Sequence, residues 1–255
     1  MGFIVRWLRL MPLAGLALLA PAQERGAAAP ILERLERNMS FRTAYVEAEV
    51  VITAKNRVSA KTFFAYLEGT ERTWVEYVSP ARDRGLRVLR TADDLRIYLP
   101  SARKVMKIRN GRRQRRGYAD FSFDDVAELA VDLRGQFASD ELAAEMFAGR
   151  PCHLLRLVAK VPGRTYPLRK MWVDAETAVC LRIQFFTRSG TLARELTAAD
   201  VRPFATRFYP TRFVMVDRLR KGAQTEIVLK KIVFDVELPP GIFDAANLIP
   251  AAVSG

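Results

Sequence analysis

Residues Asp94–Asp125, DLRIYLPSARKVMKIRNGRRQRRGYADFSFDD, decide the fold. Leu95, Ile97 and Leu99 alternate with Arg96, which marks a half-buried strand that ends at Pro100. A second strand spans 104–109 and carries Met106 at an alternating position. Asn110-Gly111 is hairpin-like turn chemistry, set among Arg109, Arg112, Arg113, Arg115 and Arg116. Asp124-Asp125 then open a helix whose apolar stripe is Val126, Leu129 and Ala130, the carboxylates matching the positive end of its dipole.

The same period of two extends in both directions. Upstream, Val46, Ala48, Val50 and Ile52 oppose Glu47 and Glu49, and further short runs cover 60–68, 72–79 and 85–90. In the third of these strands Val75 and Tyr77 oppose Arg72 and Glu76. Turn residues separate the runs: Glu68-Gly69-Thr70-Glu71, Ser79-Pro80 and Ala92-Asp93-Asp94. Downstream, strands are expected at 152–160, 168–174, 179–187, 192–202, 208–217 and 224–236, with Leu181, Ile183 and Phe185 opposite Arg182 and Gln184. Helical spacing of Ile31, Leu32, Leu35 and Met39 predicts a short helix near the start, and the stretch 140–147, closed by Gly149, reads as another. Many short strands with helices in one block describe a mainly β (α+β) fold: one strongly curved, unclosed antiparallel barrel-like sheet with helices over its mouth. No repeat or linker divides residues 30–250, which form one domain.

Residues 1–22 carry Arg6 and Arg9, an apolar run from Leu10 to Leu19, and Ala20-Pro21-Ala22, the order of a secretory signal peptide. The run is too short to span a bilayer. Cleavage after Ala22 and cleavage after Ala29 are both open, as is retention as an uncleaved anchor. A cleaved, soluble periplasmic protein is the expectation. The formal charge of +13 loses only two with the leader, and such an excess attracts polyanions. Export turns that attraction from nucleic acid toward anionic headgroups, so the arginine run around Asn110-Gly111 is the expected docking surface for an anionic membrane.

Catalytic constellations are scarce. His153 is the one histidine, placed by parity beside Leu155 and Leu157 on an inner face, and zinc would need three or four convergent ligands. No Gly-x-Ser-x-Gly elbow or phosphate-cradling loop accompanies it. The pairs Asp93-Asp94 and Asp124-Asp125 are explained by a turn and a helix start. Neither an enzyme nor a cofactor is expected. If 152–160, 168–174 and 179–187 form a meander, Cys152 and Cys180 both face the middle strand, roughly 9–10 Å apart, beyond disulfide reach. Two free thiols follow.

Several short motifs resemble, in order, those of the LolA-like outer-membrane lipoprotein-sorting proteins. These are Trp74-Val75-Glu76-Tyr77-Val78-Ser79-Pro80, the strand ending at Tyr98-Leu99-Pro100, and Gly117-Tyr118-Ala119-Asp120-Phe121-Ser122-Phe123-Asp124-Asp125. Met171-Trp172-Val173-Asp174, Tyr209-Pro210-Thr211 and Leu238-Pro239-Pro240-Gly241-Ile242-Phe243 continue the likeness. The resemblance implies a monomeric carrier that shelters acyl chains on a greasy concavity, between an inner-membrane transporter and an outer-membrane acceptor. By strand parity its wall is Val50, Ile52, Val75, Tyr77, Leu95, Ile97, Leu99, Met106, Leu181, Ile183 and Phe185. One departure concerns the basic residue that latches the family's lid just before the aromatic strand. Here that stretch is Glu68-Gly69-Thr70-Glu71, with Arg72 beside it, so the latch does not carry over. Three readings stay open: a lipoprotein carrier, a shuttle of phospholipid for a membrane exporter, and an envelope protein whose sheet is filled by its own side chains.

Overall fold

A computed structural model describes residues 28–55, 57–91, 94–109 and 132–250. The chain opens with helix α1 (Ala28–Met39) and continues through β1 (Thr43–Ala54), β2 (Arg57–Glu68), β3 (Arg72–Ser79), β4 (Arg87–Thr91), β5 (Asp94–Leu99) and β6 (Lys104–Arg109). A four-residue helix α2 (Leu133–Gln136) leads into β7 (Phe137–Phe147), β8 (Arg150–Ala159), β9 (Leu168–Asp174) and β10 (Cys180–Phe186). The last strands are β11 (Leu192–Phe204), β12 (Arg207–Asp217) and β13 (Ala223–Phe234). Among the described residues, 13 strands make one antiparallel sheet in the order β6-β5-β4-β3-β2-β1-β13-β12-β11-β10-β9-β8-β7. β6 and β7 are its two edges and do not pair with each other, so the sheet curves without closing.

Alternation assigns the faces, and bulges adjust them. On the concave side Val46, Ala48 and Val50 of β1 meet Phe63, Ala65 and Leu67 of β2, Ile227 and Leu229 of β13, and Phe213 and Met215 of β12 in one buried cluster. Helix α1 lies against this cluster with Leu32 and Leu35 fully buried. Its polar side chains tie it down. Asn38 donates to the Thr177 carbonyl at 2.5 Å and accepts from the Phe208 N–H at 3.2 Å, while Glu36 accepts from the Arg134 guanidinium at 2.8 Å. The first helix thus plugs the concavity of the β7–β13 half of the sheet.

Two sequence expectations are corrected here. Residues 140–147 are not a helix: they belong to β7, which pairs with β8 from Phe137↔Ala159 to Phe147↔Arg150. A bulge between Glu141 and Ala143 shifts the alternation by one, so Leu142 packs on one cluster while Phe137 belongs to another. That phase slip removed the period-two signal, and ladder bonds to β8 outweigh the helical propensity of an octapeptide of mostly good helix formers that is too short to hold a helix alone. The helix expected from Asp124 falls outside the described residues.

The second correction is Leu181. A bulge between Cys180 and Arg182 lets Cys180 pack on the concave cluster and turns Leu181 to the other face, beside Cys152, Leu154, Trp172 and Val179. The expected meander β8-β9-β10 is present, with Cys152 opposite Asp174 and Cys180 opposite Val173, and both cysteines are free.

Candidate functional site

The arm β3–β6 is apolar on both faces, and the two faces differ in what covers them. On the convex side Trp74, Leu89 and Tyr98 form a buried cluster with Leu248, capped by Ile242 and Phe243 of the C-terminal tail. Arg87 holds the tail there: its guanidinium lies 5.6 Å from the Trp74 ring centroid, pairs with Glu76 at 2.8 Å and donates to the Asn247 carbonyl at 3.3 Å. Arg72, the residue beside the expected latch position, pairs with Glu68 and stacks 5.2 Å from Phe243, so it serves this outer seal.

On the concave side, cross-strand partners line up in one row. Ala65 faces Val75, Val75 faces Val88, Val88 faces Ile97, and Ile97 faces Met106. At about 4.8 Å per strand, the four members from β3 to β6 span roughly 14 Å. A second row places Leu95 between Arg90 and Ile108. Leu99, at the end of β5, faces Lys104. Ile97 is 4% exposed, and Val75, Val88, Met106, Leu95, Ile108 and Leu99 are half-buried.

The residues predicted for the wall therefore divide into three groups. Val75, Tyr77, Leu95, Ile97, Leu99 and Met106 lie on the concave face of the arm, Val75 and Tyr77 where it meets the central cluster. Val50, Ile183 and Phe185 lie in the filled central cluster, with Ile52 packed on its border. Leu181 is on the other face. Sequence reasoning missed Val88 and Ile108, although their even positions beside Leu89 and Lys107 carried the same alternation.

It also missed two inward-facing arginines. Arg90 donates to the Thr70 carbonyl at 2.6 Å and to Thr73 Oγ1 at 3.3 Å, at one end of the arm's concave face. Arg169 pairs across β9–β10 with Phe185, and its guanidinium sits 4.5 Å from the Phe137 ring centroid and 5.3 Å from that of Phe185. The concave side is thus not free of charge, contrary to the alternation pattern. Ring faces take the place of water around Arg169, and polar oxygens do so around Arg90.

Among the described residues no group of three His, Cys, Asp or Glu side chains converges as a metal site. His153 is half-buried on β8 opposite Val173, its Nδ1 2.7 Å from Glu141 Oε1. Asp94 accepts from Lys107 at 2.7 Å and from Arg96 at 3.2 Å, and the Lys107 hydrogen bond in particular lowers its pKa. It is an ion-pair member at the start of β5. Of the predicted docking arginines, Arg109 ends β6 opposite Asp94, and Arg112, Arg113, Arg115 and Arg116 lie outside the described residues.

A model for a family of uncharacterized proteins matches residues 69–249. No curated protein matches the chain. Among solved structures, a DUF1329 family protein from Desulfovibrio piger superposes with a TM-score of 0.74 at 20% identity, covering 86% of this chain and 96% of its own. A putative outer-membrane lipoprotein-sorting protein domain from Vibrio parahaemolyticus gives 0.70 at 19%, with 86% and 96% covered. A LolA superfamily protein from Nitrosomonas europaea gives 0.65 at 21%, with 86% and 97% covered.

Proposed function

This chain belongs to a family of uncharacterized proteins represented by residues 69–249 and has the LolA-superfamily fold, and from these premises we propose that it is a carrier sheltering acyl chains on the concave face of the β3–β6 arm. One observation carries the reading. The row Val75-Val88-Ile97-Met106 is apolar, with Val75, Val88 and Met106 half-buried, while the opposite face of the same strands is sealed by the protein's own tail. Among the described residues only one of the arm's two greasy faces carries a cover of the protein's own, and the other offers a surface that an apolar ligand can occupy. Each methylene moved from water onto it contributes about 0.8 kcal/mol, so affinity needs no covalent chemistry.

The filled-sheet reading applies to the other half of the molecule, where Leu32 and Leu35 of α1 already occupy the concavity. Cargo is therefore assigned to the arm and not to the sheet centre. The carrier is exported to the periplasm by the leader at 1–22, receives acyl chains of lipoproteins or phospholipid from an inner-membrane donor, and delivers them to an outer-membrane acceptor. No helix among the described residues is long and apolar enough to cross a membrane. Mass spectrometry of organic extracts from gently purified protein tests the proposal. Bound acylated species support carriage, triacylated peptide separates lipoprotein sorting from phospholipid shuttling, and an extract without lipid from protein that also ignores an acyl probe refutes it.

A further inference from the structure

In an antiparallel meander the strand connections alternate between two ends, and here every connection at one end carries a cation. The connections β1–β2, β3–β4, β5–β6, β8–β9, β10–β11 and β12–β13 share one end. Every one of them contains at least one cation, including Lys55, Arg84, Arg103, Lys160, Arg188 and Lys221, all exposed. Asp83 is the one acidic residue among their described positions. At the other end, the described positions of the connections β2–β3, β7–β8, β9–β10 and β11–β12 hold Glu71 and Glu176 and neither lysine nor arginine, and the cations there stand outside these turns: Arg34 of α1, Arg42 before β1, and Arg72, Arg150 and Arg207 at strand starts. Large apolar side chains stand among the cations: Leu219 is 59% exposed, Val161 56%, and Val58, just past the β1–β2 turn, 71%.

From this placement we infer that the cationic end of the sheet is a docking edge for an anionic lipid bilayer. The six connections follow the curve of the sheet and so form an arc of charge, not a point. Basic residues near an anionic leaflet each add an attraction that decays within a Debye length, which suits an arc presented edge-on. Exposed aliphatic side chains between the cations favour a bilayer over a soluble polyanion, because headgroups admit shallow apolar insertion and a hydrated polyanion does not. The edge does not include Arg109, which ends β6 at the opposite end of the sheet. It is also independent of what the concave face holds.

Co-sedimentation with phosphatidylcholine vesicles containing about 30% phosphatidylglycerol, at roughly 0.1 M salt, tests the inference. Wild-type protein should bind these vesicles and not pure phosphatidylcholine. The combined variant Lys55→Gln, Arg84→Gln, Arg188→Gln and Lys221→Gln removes only exposed cations. At about fivefold per charge, it should weaken binding on the order of a hundredfold or more while thermal unfolding stays unchanged. The variant Val58→Ser, Val161→Ser and Leu219→Ser keeps every charge and should also lose affinity. Four outcomes overturn the inference: wild-type protein that ignores anionic vesicles, a charge variant that binds them normally, loss confined to a variant with glutamine at Arg109, Arg112, Arg113, Arg115 and Arg116, or full binding by the serine variant, which would make the edge a general polyanion surface.

Discussion

Placing aspartate at Met106 and at Ile183 separates a ligand-binding surface from a packed core. Ile183 is 2% exposed and sits between Met171 and Leu196 in the central cluster. Removing its aliphatic side chain from full packing costs about 2–5 kcal/mol. An unpaired carboxylate in that place adds several more. Against a total stability of about 5–15 kcal/mol, Ile183→Asp should unfold the protein or leave it barely stable. Met106 is half-buried on the edge strand β6, where a carboxylate can turn to water, so Met106→Asp should cost about 1 kcal/mol. Its effect on acyl binding should be much larger. If the charge displaces roughly four methylenes from the row at about 0.8 kcal/mol each, about 3 kcal/mol is lost, more than a hundredfold in affinity. Thermal unfolding paired with titration of a fluorescent fatty-acyl probe reads both quantities. Unfolding of Met106→Asp as severe as that of Ile183→Asp would show the arm to be core, and a folded Met106→Asp that binds the probe like wild type would remove the concave row from the ligand site.

Three further predictions use other parts of the molecule. Burial alone would raise the Glu195 carboxyl, but hydrogen bonds from Gln184, Arg182 and Arg218 overcome it and hold the pKa at about 2, below its ordinary 4.5. The lowered value stabilises the fold by roughly 3 kcal/mol above pH 4.5, and that contribution is lost as pH falls toward 2, so Glu195→Gln should flatten urea stability against pH across this window. Burial pushes the Cys180 thiol up to about 12 and also raises Cys152, so a thiol reagent at pH 8 should label the folded protein slowly and count two thiols after denaturation; none in the monomer would refute the β8-β9-β10 order. Ala28 is 1% exposed in the cluster under α1, and a cut after Ala29 would remove it, so N-terminal sequencing of the exported protein should find Gln23, not Pro30.

Strand alternation was readable wherever the pairing ran without interruption. Leu95, Ile97 and Leu99 stand on the concave face as their positions imply, because a side chain's face in a strand depends only on its neighbours in sequence. The reading failed at two bulges. One extra residue near Leu181 sent it to the far face, and one near Leu142 disguised β7 as a helix. A bulge is a property of the pair of strands, so a single strand's sequence holds no record of it.

The candidate site divides in the same way. Composition and periodicity determined that the chain is a many-stranded sheet with apolar faces, a leader-like start and an excess of cations, since each is a sum or a short-range pattern along the chain. Only tertiary structure decided which greasy face is already covered. The tail at Ile242–Leu248 seals one side of the arm and α1 fills the other half of the sheet, both from far away in sequence. Tertiary structure alone also gathered Lys55, Arg84, Arg188 and Lys221 at one end. Antiparallel order brings every second connection to the same edge, and a linear sequence does not reveal which cations become neighbours until the strands have paired.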